Sequence, residues 1–142
     1  MNREILFRGK TIETKRWAYG YYCKIGNKAY IVLDDAELCE DEQGTPDNAI
    51  FGFIEVDPDT VGQFTGYPDK YGKKIFSGDI VKVWLKKYES VCLPTFRHGI
   101  IEYVYDAYWI IPIGRRASWR CLRNRPIEII GNKWDNPELM EQ

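Results

Sequence analysis

The sequence predicts a mainly β protein, and three observations carry that prediction. Aromatic residues are abundant, with ten Tyr and five Trp in 142 residues, and such side chains suit a pleated, half-buried surface. Apolar residues recur at strand spacing over short runs, and no window sustains them at the three-and-four spacing of a helix. Glycines fall where short strands must stop or turn, four of the twelve lying between Thr60 and Val83. A chain of this length buries roughly two-thirds of its surface on folding, so it needs no disulfide or metal to fold.

Taken in order, Arg3 to Arg8 reads as a strand ended by Gly9-Lys10, and aromatic-rich Arg16 to Ile25 as another. Gly26-Asn27 suits a two-residue type II′ hairpin, with Ala29 to Leu33 returning. Asp34 to Asn48 lacks periodicity and contains Gly44 and Pro46. It reads as an exposed acidic loop, 34–48, or as a lure for a basic partner. Ala49 to Val56 is a strand, and Asp57-Pro58-Asp59-Thr60 breaks it because Pro58 cannot donate in a ladder.

The central stretch carries specific turn chemistry. Asp69-Lys70-Tyr71-Gly72 places Asp first and Gly fourth, suiting a type I turn closed by a left-handed Gly72. Gln63 to Thr65 then pairs with Lys74 to Phe76. Ser77-Gly78-Asp79 is a second tight turn, in which Asp79 accepts backbone N–H groups. The strand after it, Ile80 to Leu85, has apolar residues at both parities and is therefore covered on both faces. A Gly-Asp pair entering a Val-rich strand is common in small SH3-like barrels.

Further on, Lys86 to Ser90 reads as a loop and Val91 to Phe96 as a poor strand interrupted by Pro94. Gly99 to Tyr105 and Tyr108 to Ile113 form a meander joined through Asp106-Ala107. Ile127 to Ile130 is a last short strand, and Asp135 to Met140 a single helical turn with Pro137 at its first position. The fold expected is an SH3-like small barrel over residues 57–142. An N-terminal β-hairpin extension over 1–56 and a short C-terminal helical turn complete one cooperative unit.

Several motifs occur in order. They are Arg3-Glu4-Ile5-x-Phe7-Arg8-Gly9-Lys10, Trp17-x-Tyr19-Gly20-Tyr21, Thr60 to Gly66, Asp69-Lys70-x-Gly72-Lys73, Gly78-Asp79-Ile80-Val81 and Ile130-Gly131-Asn132. Together they resemble the YopX family of phage and prophage proteins. The resemblance covers both ends and the middle and thins over residues 26–50 and 86–125. It implies a mainly β protein with an SH3-type barrel, encoded by a bacterial virus or prophage. It implies no established activity, so no functional residue is carried over from it. The setting expected is the bacterial host cytoplasm, since Met1 to Lys10 has no apolar core and no run reaches the length of a membrane span. There Cys23, Cys39, Cys92 and Cys121 stay thiols.

Motifs for chemistry are sparse. Gly66 to Lys73 fails as a phosphate-binding loop: five residues separate Gly66 from Gly72, and Lys74 stands where Ser or Thr would hold Mg²⁺. The cysteines contain no short-spaced pair and His98 is the sole histidine, so no metal site or cofactor is expected. Cys23, among Tyr21, Tyr22 and Ile25, reads as a small buried hydrophobe. His98 reads as a residue at a loop–strand junction. No catalytic constellation emerges, and an enzyme is not expected.

Charge is the remaining signal. Seven acids between Asp34 and Asp47 carry −7, and a total of −1 leaves +6 elsewhere. Arg115, Arg116, Arg120, Arg123 and Arg125 surround Trp119, with no acid between Gly114 and Ile127. Guanidinium groups grip phosphates bidentately and Trp stacks on bases. Equally, such arginines can cover apolar surface with their stems or pair with acids. The chain is thus expected to bind rather than catalyse. The partner is either nucleic acid through the Arg segment, or a host or phage protein or a second copy through β edges and exposed aromatics.

Overall fold

The computed structural model describes residues 4–40, 46–83, 98–114, 119–122 and 127–141. The strands form two antiparallel sheets, and the only helical pieces among the described residues are two short 3₁₀ turns. The mainly β expectation holds. The chain divides into two compact units, Met1–Gln63 and Phe64–Gln142. The division falls inside a strand rather than at Val56.

In the first unit, β1 (Phe7–Lys10), β2 (Trp17–Ile25), β3 (Lys28–Glu40) and β4 (Pro46–Val56) are joined by the start of β5 (Gly62–Pro68), in the order β4-β3-β2-β1-β5. Ala18, Ala29, Ile31 and Val56 form its core, with Phe7, Ile54 and Val61 packed against them. All four core residues lie on one side of the pleat, as period-two patterning requires. The β2–β3 connection is the expected two-residue loop. Ile25 pairs with Lys28, and Gly26 takes φ 60°.

Two expectations for this unit need correction. Gly9-Lys10 does not end the first strand; both belong to β1, which starts only at Phe7. Gly9 is a close-packing residue: a Cβ there would lie 2.9 Å from Val56 Cγ2. The reversal comes afterwards, where the Thr11 amide donates to Arg16 O at 2.8 Å and Thr11 Oγ1 accepts from the Arg16 amide at 3.2 Å. The acidic segment 34–48 is not a loop throughout. Its first seven residues continue β3 to Glu40, and β4 already begins at Pro46. Glu37 pairs with Phe51, Leu38 with Ile50 and Glu40 with Pro46, after register shifts on either side of Glu37-Leu38. Ladder bonds use backbone groups, so a strongly β-forming partner such as Ala49 to Phe53 can hold an acidic strand that has no apolar period of its own. Residues 41–45 lie outside the described residues.

A 3₁₀ turn, Pro58–Thr60, follows β4. Asp57 caps it by accepting from the Asp59 amide at 3.0 Å. Thr60 Oγ1 donates to Asp57 O at 2.7 Å and accepts from the Lys10 amide at 2.9 Å, tying the turn to β1.

In the second unit the rest of β5 pairs with β6 (Lys74–Phe76), Phe64 opposite Phe76. A five-stranded sheet follows: β7 (Asp79–Val83), β8 (His98–Val104), β9 (Ala107–Pro112), β10 (Arg120–Cys121) and β11 (Ile127–Asn132), in the order β10-β9-β8-β7-β11. Apolar clusters cover both faces. One gathers Ile75, Val81, Val83, Ile101, Ile110, Leu122 and Ile127. The other gathers Ile80, Ile100 and Ile113, with Leu139 of the C-terminal 3₁₀ turn Pro137–Glu141 packed on it. That explains the doubly apolar reading of β7.

Both turns of the central stretch form. The Gly72 amide donates to Asp69 O at 3.0 Å and Gly72 takes φ 83°. Asp69 Oδ1 accepts from the Tyr71 and Lys73 amides, each at 2.9 Å. Its Oδ2 accepts from the Ile129 amide at 3.3 Å, while the Lys70 amide donates to Ile127 O at 2.9 Å. The hairpin tip is therefore fastened to β11. Gly78 takes φ 89°. Asp79, 2% exposed, accepts from the Phe76 amide at 2.8 Å, reaching back across its turn.

Two smaller corrections apply. The β8–β9 turn is Tyr105-Asp106, since Val104 pairs with Ala107. Cys23 is half-buried rather than buried, because its strand parity places it opposite the core face; it and the exposed Cys121 are free thiols. The expected loop and poor strand over 86–96, with Trp84 and Leu85, lie outside the described residues.

Candidate aromatic binding surface

Four of the seven residues from Tyr103 to Trp109 are aromatic, and the β8–β9 hairpin carries them to one tip. A two-residue loop in a right-twisted hairpin requires positive φ at both positions, which Asn-Gly meets without strain. Here Tyr105 and Asp106 adopt it, at φ 51° and 65°. For a bulky residue such as Tyr105 that conformation costs about 1–2 kcal/mol. The ring it projects is 85% exposed.

Beside it stands Trp119, which precedes β10 and is 42% exposed. The Tyr105 and Trp119 rings stack with centroids 6.4 Å apart at 25°. Trp119 also lies 6.3 Å from Trp109, tilted by 58°. Trp109 is held in turn: its Nε1 donates to Val104 O at 3.0 Å. On the other face of the hairpin Tyr103 meets Tyr108 edge-on, with centroids 4.9 Å apart. Fixed indoles supporting exposed rings form a surface on which a flat ligand can stack.

Electrostatics favour an anion in this unit. Of the chain's net charge of −1, the first unit holds seven basic against twelve acidic residues, or −5, and the second thirteen against nine, or +4. Glu102, opposite Trp109 in the β8–β9 ladder, is countered by Lys133 Nζ at 3.1 Å. Asp106 sits at the tip itself.

Of the residues singled out from sequence, Trp119 and Arg120 are adjacent here, Arg120 half-buried at the start of β10 opposite Ile110. Arg115, Arg116, Arg123 and Arg125 lie outside the described residues. Gly72, Gly78 and Asp79 are in turns, away from any chemistry the geometry displays. Sequence reasoning missed Tyr103, Tyr105, Tyr108 and Trp109 as a surface. The density of aromatics around a two-residue turn was the signal that could have found them. Among the described residues no group of three or more His, Cys, Asp or Glu is placed to hold a metal ion. No helix among them is long and apolar enough to cross a membrane.

No curated protein matches this chain. Among solved structures, the crystal structure of protein EF1440 from Enterococcus faecalis is similar, with TM-score 0.52 and 22% sequence identity over 99% of this chain and 100% of that one. At that identity the likeness speaks for fold alone. The family model described as YopX protein matches residues 6–141, spanning the acidic and arginine-rich stretches where the motifs thin, and the chain belongs to the YopX family.

Proposed function

We propose that this protein is a phage or prophage accessory protein that works in the host cytoplasm by binding, not catalysis, and that its ligand is nucleic acid. The observation that carries this reading is the exposed stack of Tyr105 on Trp119, next to Arg120, in a unit of net charge +4. Aromatic faces with flanking guanidinium groups suit bases and phosphates respectively. Arg115, Arg116, Arg123 and Arg125 supply the further cations in sequence. The second unit is read as an SH3-like barrel. In support, β7 to β10 run as a meander and β11 returns to pair with β7, around one apolar cluster drawn from every strand from β6 to β9 and from β11. Barrels of this kind serve many ligands, so the fold does not choose among them.

The test is binding and melting on the same proteins. Affinity for nucleic acid should fall steeply with salt. Arg116→Ala with Arg120→Ala should reduce the salt slope by roughly one unit for each phosphate no longer neutralised. No detectable binding at low salt ends this reading. A second reading, a protein-interaction or self-assembly module, is favoured by a separate observation. The outer face of β2 presents Tyr19 and Tyr21, 47% and 54% exposed, in a unit of charge −5. Salt-insensitive oligomers, or a basic protein retained through that face, would favour it.

A further inference from the structure

The β8–β9 hairpin spends conformational energy to hold an aromatic ring in solvent, and that combination points to a ligand of a particular kind. A type I′ turn is satisfied by Asn-Gly; Tyr105 satisfies it with strain and is 85% exposed. Neither burial nor the turn itself explains the ring. Among the described residues its ring neighbour is Trp119, stacked at 25° and itself braced on Trp109, whose indole N–H is fixed by Val104 O. Strain kept at a solvent-facing position is found where it serves a ligand.

We propose that Tyr105 is a base-stacking residue and that the ligand is single-stranded nucleic acid, a specification that rests on the nucleic-acid reading above. A stacked base must offer a free face, and in a duplex both faces are occupied by neighbouring pairs. The rings here stand at the end of a hairpin, where an unpaired base can continue the stack Trp119–Tyr105. The charges near the tip agree. Asp106 keeps phosphate away from the turn, so the base rather than the backbone meets Tyr105. Lys133 counters Glu102 behind Trp109, and the phosphates run towards the Arg120 side. A second copy of this chain is the poorer occupant, because two such units, each at +4, repel.

The experiment measures the full chain against a fluorescein-labelled oligothymidylate and against a duplex of the same length, at low salt. Tyr105→Asn removes the ring while keeping a residue that accepts the turn, and Tyr105→Phe keeps the ring. Tyr105→Asn is expected to weaken the single strand about tenfold and leave the duplex unchanged, with Tyr105→Phe close to wild type. Asp106→Asn should bind at least as tightly as wild type. Single-strand affinity unaltered in Tyr105→Asn overturns the proposal. If that protein still binds in a salt-dependent way, the nucleic-acid reading survives; if the wild type binds neither probe, both fall.

Discussion

At the scale of single residues, two carboxylates and two glycines decide the centre of the chain. Asp79 is buried with an oxygen on the Phe76 amide, so removing it leaves that donor without this acceptor in a dry site. Asp79→Ala should cost about 1–3 kcal/mol in urea unfolding; full stability with a lost activity would recast Asp79 as functional. Gly72 and Gly78 both have positive φ, but their surroundings differ. A Cβ on Gly72 meets nothing within 4 Å, whereas one on Gly78 runs into the Trp134 ring. Gly72→Ala should therefore cost only the conformational penalty, about 1 kcal/mol, and Gly78→Ala clearly more. Equal costs in the same denaturant series would show that Trp134 gives way freely. These turns were readable in the sequence because Asp-x-x-Gly and Gly-Asp act on their own neighbours. The bond from Asp69 to Ile129 was not, since nothing local marks a partner sixty residues away.

Elements show where local reading stops. β4, β8, β9 and β11 announce themselves through apolar patterning. β3 does not, because its acidic end is strand only by virtue of the ladder that β4 offers it. Gly9 looked like a stop because glycine usually is one; its role is set by Val56, far along the chain. The candidate surface was half legible. Trp119 and Arg120 stood out through composition, while Tyr105 became visible only when pairing of Val104 with Ala107 fixed which two residues form the turn. The hairpin makes its own prediction. Tyr105→Asn should raise stability by about 1 kcal/mol, seen as a higher urea midpoint at unchanged slope. A drop in stability would mean that stacking on Trp119 outweighs the strain, and that the ring is part of the fold's own support.

For the whole molecule, β5 belongs to both compact units: Gln63 pairs with Phe7 in the first, and Phe64 with Phe76 in the second. Melting is expected as one calorimetric transition with equal calorimetric and van't Hoff enthalpies; two resolved peaks would show units that fold separately. That β5 serves two units could not be read from residues 57–76, where turn signals suggest a fresh start. Finally, the pairing of β11 with β7 sets the order in which the second unit can be made. During synthesis β7, β8, β9 and β10 leave the ribosome before β11, so the Ile80 to Val83 edge waits, apolar and open, for a strand more than forty positions later. The Asp69 hairpin likewise lacks the Ile127 and Ile129 backbone groups it fastens to. The first unit needs nothing beyond Gln63 for its sheet. A growing chain thus passes through a stage with one unit complete and the other displaying a bare strand edge, the form most open to capture by another unfinished chain.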